Sequence, residues 1–371
     1  MGLRWDLTAR AHCPSKRDVP VHLPLALQEK NKVSTSISNL RHYGSGLCVA
    51  AALLAGCSTA SQSQLGPSEA GRQNLPLLGV ARSGAVLPAH ANHGRSWMAP
   101  GAKKKALLYI SNYGSSQVLV YSYPGAQSVG WLTSDIDGPD GLCADTKGNV
   151  WIVNYNGSTL VEYAHGGTSP IATLSDPNEN PLGCSVDPIT GNLAATNMIG
   201  PSGGQGDVVI YPRAKGTAKV YVATGIYYVF FCGYDDSGNL YVDGRTQGEA
   251  FAFSELAKGS STFTPITLTG GKIYLPGNVR WDGKYVAIGD QEYHDSIDSG
   301  IYQTTGSGGK IVGSTALTGS EDVVGFWIQG KTVIGPDALL NNVGFYRYPK
   351  GGSPTKTLTS IDETFGAAVS L

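Results

Sequence analysis

The sequence of 371 residues predicts an all-β fold: a six-bladed β-propeller of four-stranded antiparallel blades, closed by pairing the C-terminal strand with the N-terminal strands. Three observations predict it. The composition favours strands and turns, one hairpin unit recurs six times, and the repeat region begins and ends on complementary half-blades. The chain holds 50 Gly, 20 Pro and 19 Tyr against 3 Met, with 15% charged residues. That balance suits short strands joined by tight turns, and it excludes coiled coils and helix bundles.

Residues 1–56 read as a signal peptide with an N-terminal extension. The run Leu47–Gly56 is apolar, follows Arg41 and His42, and ends in Leu54-Ala55-Gly56-Cys57. Ten residues are too few to span about 30 Å of hydrocarbon as a helix, but they suit the apolar core of an export signal. LAGC resembles the lipobox of bacterial lipoproteins, which implies lipidation at Cys57 and places the protein in the cell envelope, at the outer membrane where the cell has one, or secreted. Export signals start close to their basic region, so the expected initiation point lies nearer Val33 or Leu40 than Met1. Residues 57–105 are rich in Ser, Gly, Ala and Pro without apolar periodicity, which predicts a flexible tether reaching roughly 35–40 Å. Its Lys103-Lys104-Lys105 run reads as a solvated charge cluster.

Residues 106–371 form the propeller. A c–d hairpin recurs six times, from VLVYSYPGAQSVGWL ending at Leu132 to GFYRYPKGGSPTKTL ending at Leu358. Each copy joins two β-rich segments through a turn with Gly. An a–b hairpin alternates with it, as in Gly141–Asp145 followed by TKG and NVWIVN. Its first positions fall at 141, 183, 231, 278 and 325. The Asp and Gly bracket a tight turn, the carboxylate accepting backbone N–H groups and the Gly taking positive φ. Four strands per repeat at about 44 residues make one blade. The region opens on Leu107–Tyr113, a b strand without its a, and closes on Phe365–Leu371, an a strand without its b. Joined, they complete one blade and leave no open edge in the ring.

The b–c and d–a loops of such a ring open on one face. The b strands end at Asn112, Asn154, Asn197, Asp243, Asp290 and Asp337, and the loops entering the a strands add Asp140, Asn180, Glu321, Asp322 and Glu363. These hard oxygen donors suit a polar ligand or Ca²⁺. The loop from Asp290 to Asp298 is the densest titratable cluster, and an imidazole mechanism in the ring would fall to His294 beside Asp290, the two candidate catalytic residues. The propeller carries 14 Lys+Arg against 24 Asp+Glu, a balance that disfavours nucleic acid. Cys143, Cys184 and Cys232 lie on a strands. Buried free thiols are the expectation, with a Cys184–Cys232 disulfide as the alternative, since Cys143 sits one residue out of phase.

The pattern GPDGLCAD…GNVWIVN resembles NHL-type six-bladed propellers and the gluconolactonase-like repeats of uncharacterised bacterial lipoproteins. Gluconolactonase-like enzymes hold their metal with a Glu, two Asn and an Asp. The resemblance assigns the last three roles to Asn154, Asn197 and Asp243, while no Glu stands near LLYISNYG. The expectation is a monomeric propeller, membrane-associated through its lipid anchor only, that binds a small polar ligand or an envelope protein through the tunnel-mouth residues Asn112, Asp140, Asn154, Asn197, Asp243, Asp290 and Asp337. The alternative is a Ca²⁺-dependent lactonase or hydrolase.

Overall fold

The computed structural model describes residues 94–176, 179–200 and 203–371. The export signal, Cys57 and the tether up to residue 93 lie outside the described residues. Blade 1 comprises β1 (Trp97–Met98), β2 (Leu107–Asn112), β3 (Gln117–Ser122) and β4 (Ser128–Leu132). Blade 2 is β5 (Pro139–Ala144), β6 (Val150–Asn154), β7 (Thr159–Tyr163) and β8 (Pro170–Ser175), and blade 3 is β9 (Pro181–Val186), β10 (Leu193–Gly200), β11 (Gly204–Tyr211) and β12 (Lys219–Tyr221). Blade 4 is β13 (Tyr228–Tyr234), β14 (Leu240–Arg245), β15 (Phe251–Leu256) and β16 (Thr264–Pro265). Blade 5 is β17 (Pro276–Trp281), β18 (Val286–Asp290), β19 (Ser299–Thr304) and β20 (Ile311–Leu317). Blade 6 is β21 (Trp327–Gln329), β22 (Thr332–Asp337), β23 (Asn342–Arg347) and β24 (Lys356–Thr359), and β25 (Ala367–Ser370) returns to blade 1.

Six antiparallel sheets result, as the repeats predict. The b strands are almost wholly buried, Leu107–Asn112, Val150–Asn154 and Val286–Asp290 from end to end. Each is covered on both faces by neighbouring blades, which explains why they read as continuous apolar runs rather than alternating ones. The ring closes where β2 pairs with β25 in the register Leu107↔Ser370 to Ile110↔Ala367. Ser111 Oγ accepts the N–H groups of Phe365 (3.1 Å) and Gly366 (2.7 Å), fastening the last strand at its entry. The a–b turns form as read: Asp145 Oδ1 accepts the N–H groups of Lys147 (2.9 Å) and Asn149 (2.8 Å).

Two expectations are corrected. The tether does not run to residue 105, because Trp97–Met98 adds a fifth strand outside β4 in the register Trp97↔Trp131 and Met98↔Gly130. Gly130 makes the approach possible: a Cβ there would stand 2.5 Å from the Trp97 carbonyl oxygen and 2.6 Å from Met98 Sδ. The Trp97 and Trp131 rings then meet at 5.1 Å, and Ser96 Oγ accepts the Thr133 N–H at 2.8 Å.

The second correction concerns the cysteines. Cys143 and Cys184 form a disulfide with Cα atoms 5.7 Å apart, while Cys232 is free and buried. Side chains that meet between adjacent blades must leave opposite faces of their own sheets, so a one-residue phase difference is what a bridge requires. Cys184 and Cys232 share a phase and both point toward the preceding blade. Cys232 packs with Ala194 and Val208 of blade 3, and Cys184 with Trp151 and Val153 of blade 2.

Candidate functional site

Asn112, Asn154, Asp290 and Asp337 end their b strands as expected, whereas β10 continues three residues past Asn197 to Gly200 and β14 two past Asp243 to Arg245, so these two stand inside their strands. All six are buried, Asn197, Asp243 and Asp290 completely. Most of them act as clips that hold loops against the strand end. Asn112 Oδ1 accepts the Ser115 N–H (3.2 Å). Asn154 accepts the Asp137 N–H (3.1 Å) and donates through Nδ2 to the Asp135 carbonyl (2.7 Å) and to Thr159 Oγ1 (3.0 Å). Asp290 Oδ1 accepts the N–H groups of Tyr274 (3.1 Å) and Leu275 (2.9 Å). Asp337 accepts those of Glu321 (2.8 Å), Asp322 (3.3 Å) and Leu340 (3.0 Å). Burial raises the carboxyl pKa values of Asp290 and Asp337 even against these bonds, which favour the charged form.

Asp243 and Asn197 are placed differently. Asp243 Oδ1 accepts the Phe231 N–H (3.0 Å), Oδ2 has no partner, and complete burial raises its pKa well above the usual carboxylate range. Asn197 donates to Asp207 Oδ1 (3.0 Å), while its own Oδ1 has no partner. The set Asn154, Asn197 and Asp243 therefore offers two unpartnered oxygens where Ca²⁺ takes six to eight. Among the described residues, no three His, Cys, Asp or Glu side chains are arranged to hold a metal ion.

The remaining expected positions scatter around the same loops. Asp140 is buried at the start of β5, and Asn180 donates to the Tyr155 carbonyl (2.9 Å). Asp322 is buried, and desolvation followed by the charges of Asp337 and Glu292 raises its pKa to about 8. Glu321 is exposed and Glu363 half-buried. His294 is exposed at φ 54° against the Tyr293 ring (4.0 Å), while Asp290 is buried and engaged with loop N–H groups.

Sequence reasoning missed a second acidic group. Asp176 and Glu179 in the loop from β8 to β9, with Asp207 on β11, line a cavity of about 410 Å³ together with Val209, Tyr211 and Val220. Burial, then repulsion from Asp207, raises Asp176 to about 6, although the Asn197 amide counters it. Burial, then the charges of Asp207 and Asp176, raises Glu179 to about 8. The Asp176-Pro177-Asn178-Glu179 string was the available signal, since it places two carboxylates in one d–a loop. A larger groove of about 650 Å³ lies beside β15, where the two-residue β16 leaves Phe251 and Ala252 without a strand partner on that side.

Charge is divided between the two faces. On the b–c and d–a side, Asp135, Asp137, Glu249, Glu292 and Glu321 are exposed, and the Lys and Arg among the described residues there are Lys272, Arg245 and Arg95, the last brought beside the β4–β5 loop by its neighbours Gly94 and Ser96, which bond Thr133. The a–b and c–d turns opposite carry exposed Lys147, Arg213, Lys258, Lys284, Lys331 and Lys350. Between the faces, on an inner strand, Arg280 holds its guanidinium 3.7 Å above the Trp327 ring, and burial lowers its pKa to about 9.

No family model matches the chain, and no curated protein matches it. Solved structures do. A chain in the crystal structure of a nidogen/laminin complex is similar at 13% identity with a TM-score of 0.58, over 72% of this chain and 98% of that one. A protein of unknown function from Bacteroides caccae is similar at 12% identity with a TM-score of 0.54, over 72% of this chain and 99% of that one. At such identities the likeness shows the fold, which is a β-propeller.

Proposed function

We propose that this chain is a binding propeller of the cell envelope, carried on a lipidated Cys57 and built from NHL-like repeats, which presents its acidic loop face to a positively charged ligand or protein partner. The separation of charge between the two faces carries this reading. Exposed carboxylates outnumber Lys and Arg on the loop side, and such a field attracts cations and repels anions. The Cys143–Cys184 disulfide supports an oxidising, extracytoplasmic setting. The lactonase reading has less support, because both polar atoms of Asn154 are already bonded.

The test uses the full chain with Cys57→Ser and a fluorescent deca-lysine peptide followed by anisotropy. Binding should weaken as salt rises, because exposed charges are screened. The double variant Glu249→Lys/Glu321→Lys should weaken it about tenfold, while Lys258→Glu/Lys350→Glu on the opposite face should not weaken it. Absence of binding at low salt, or equal weakening by both pairs, would overturn the proposal.

A further inference from the structure

We infer that the cavity bounded by Asp176, Glu179 and Asp207 is a subsite for an organic cation, an ammonium or guanidinium group on a short apolar stem; the inference rests on the acidic loop face being the binding face. The cavity holds acceptors in excess. Asp176 and Glu179 are 4% and 6% exposed, and Asp176 Oδ2, Glu179 Oε2 and Asn197 Oδ1 are all buried without a hydrogen-bond partner. The Asn197 amide relieves part of this, donating through Nδ2 to Asp207 Oδ1 (3.0 Å) and countering the Asp176 charge, and it leaves Glu179 Oε2 without a donor. No Lys or Arg lines the cavity, and the Tyr211 hydroxyl donates elsewhere, to the Ser175 carbonyl (2.9 Å). Buried acceptors left without donors are costly, so the group that completes this site must bring N–H donors and positive charge.

Size and shape select among cations. A bare metal ion needs its oxygens gathered at 2.3–2.6 Å around one point, and no three carboxylates among the described residues are so arranged. Asp176, Glu179 and Asp207 border a space of about 410 Å³ whose other walls are Val209, Tyr211 and Val220 and the c–d turn residues Gly216 to Ala218. A guanidinium spreads five donors over a plane and an ammonium offers three, and either brings a stem for the apolar walls. The titratable groups facing the site from the loop and from β11 are Asp176, Glu179, Asp207 and Tyr211; the c–d turn and β12 close its far side with Gly216, Thr217, Ala218 and Val220, and the Lys215 and Lys219 that flank these residues are exposed and do not line it. Because burial and mutual repulsion keep Asp176 and Glu179 partly protonated near neutral pH, the arriving cation expels protons. Affinity therefore rises from pH 6 to pH 9, a range in which both ligand groups stay charged.

The experiment is calorimetry on the full chain carrying Cys57→Ser, with agmatine, butylamine and CaCl₂ as separate probes. Agmatine should bind, release protons detectably between two buffers of different ionisation heat, and bind at least tenfold more tightly at pH 8.5 than at pH 6. Glu179→Gln and Asp207→Asn should each weaken it at least tenfold, with unfolding midpoints showing that the variants fold. Should Asp207→Asn fail to fold, the loop variant Glu179→Gln decides alone. Competition by a deca-arginine peptide would identify the source as a partner's side chain, and its absence a free amine. No heat from agmatine or butylamine at any pH, binding unchanged in Glu179→Gln, or a CaCl₂ response in their place would overturn the inference. If deca-lysine still binds the loop face while agmatine does not, this subsite falls and the broader reading stands.

Discussion

Asp290 shows what a strand-end carboxylate does in this ring. It accepts N–H groups from Tyr274 and Leu275 in the incoming loop and from Glu292 in the outgoing one, at distances of 2.9–3.3 Å. Asp290→Ala should cost about 2–4 kcal/mol, since several buried donors lose their acceptor, and Asp290→Asn should cost less. Urea unfolding of the two variants measures the difference. The Asp176–Glu179 pair makes a pH prediction of opposite character. Their folded pKa values are raised to about 6 and about 8, above the unfolded values near 4, so folding is favoured while they are protonated. That contribution is fully present below about pH 4 and is lost as pH rises through 6 and 8. Asp176→Asn/Glu179→Gln should therefore stabilise the protein at pH 8.5 by roughly 1–2 kcal/mol after solvent screening, and not at pH 4. Thermal melts at the two pH values check it. The b-strand ends could be read in advance because each recurs at a fixed place in its repeat. Asp176 and Glu179 share a loop in the sequence, but their meeting with Asp207 could not be read, because only the packing of one blade's loop against the next blade's c strand brings it to them.

At the scale of the element, the inner strands touch so closely that side chains are excluded. A Cβ on Gly366, between Phe365 and β25, would stand 2.3 Å from the Asp140 carbonyl oxygen, and one on Gly141 in β5 would stand 2.4 Å from that of Leu182. Gly366→Ala must shift backbone at the ring closure and should cost about 2–3 kcal/mol in unfolding free energy. The disulfide binds β5 to β9 across 41 residues, and loop-closure entropy assigns it about 4 kcal/mol. Comparing Cys143→Ser/Cys184→Ser with the parent in urea, with and without reductant, tests this: reductant should lower the midpoint of the parent only. The hairpins were legible because local alternation and turn chemistry define them. The disulfide partner was not, because it depends on which face of each sheet meets the neighbouring blade. The strand Trp97–Met98 escaped for a similar reason: two apolar residues among Ser, Gly and Pro carry no periodicity, and their partner lies more than thirty residues downstream.

For the whole molecule, the closure of the ring is the decisive contact. β25 pairs with β2, and Ser370 reaches onward to the Gly148 carbonyl and to His165 in blade 2, so the last strand links two blades. Removing residues 365–371 should expose the edge of β2, abolish the single cooperative unfolding transition and promote aggregation. Calorimetry and light scattering on the truncated chain report both effects. The separation of acidic and basic faces is likewise a property of the closed ring, since it follows from which turns lie on which side.

The architecture was settled by features that need no tertiary information: the six-fold repeat, the Asp and Gly turns and the matching half-blades at the two ends all act through local geometry and strand pairing. The tertiary structure decided which polar groups are spent and which remain. It assigned the strand-end Asn and Asp mainly to loop N–H groups, paired Cys143 with Cys184, and collected Asp176, Glu179 and Asp207 around a cavity that no Lys or Arg lines. The physical reason is that a buried polar atom's role depends on whether a partner reaches it, and partners arrive across loops and blades, as Cys184 meets Cys143 41 residues away in the chain.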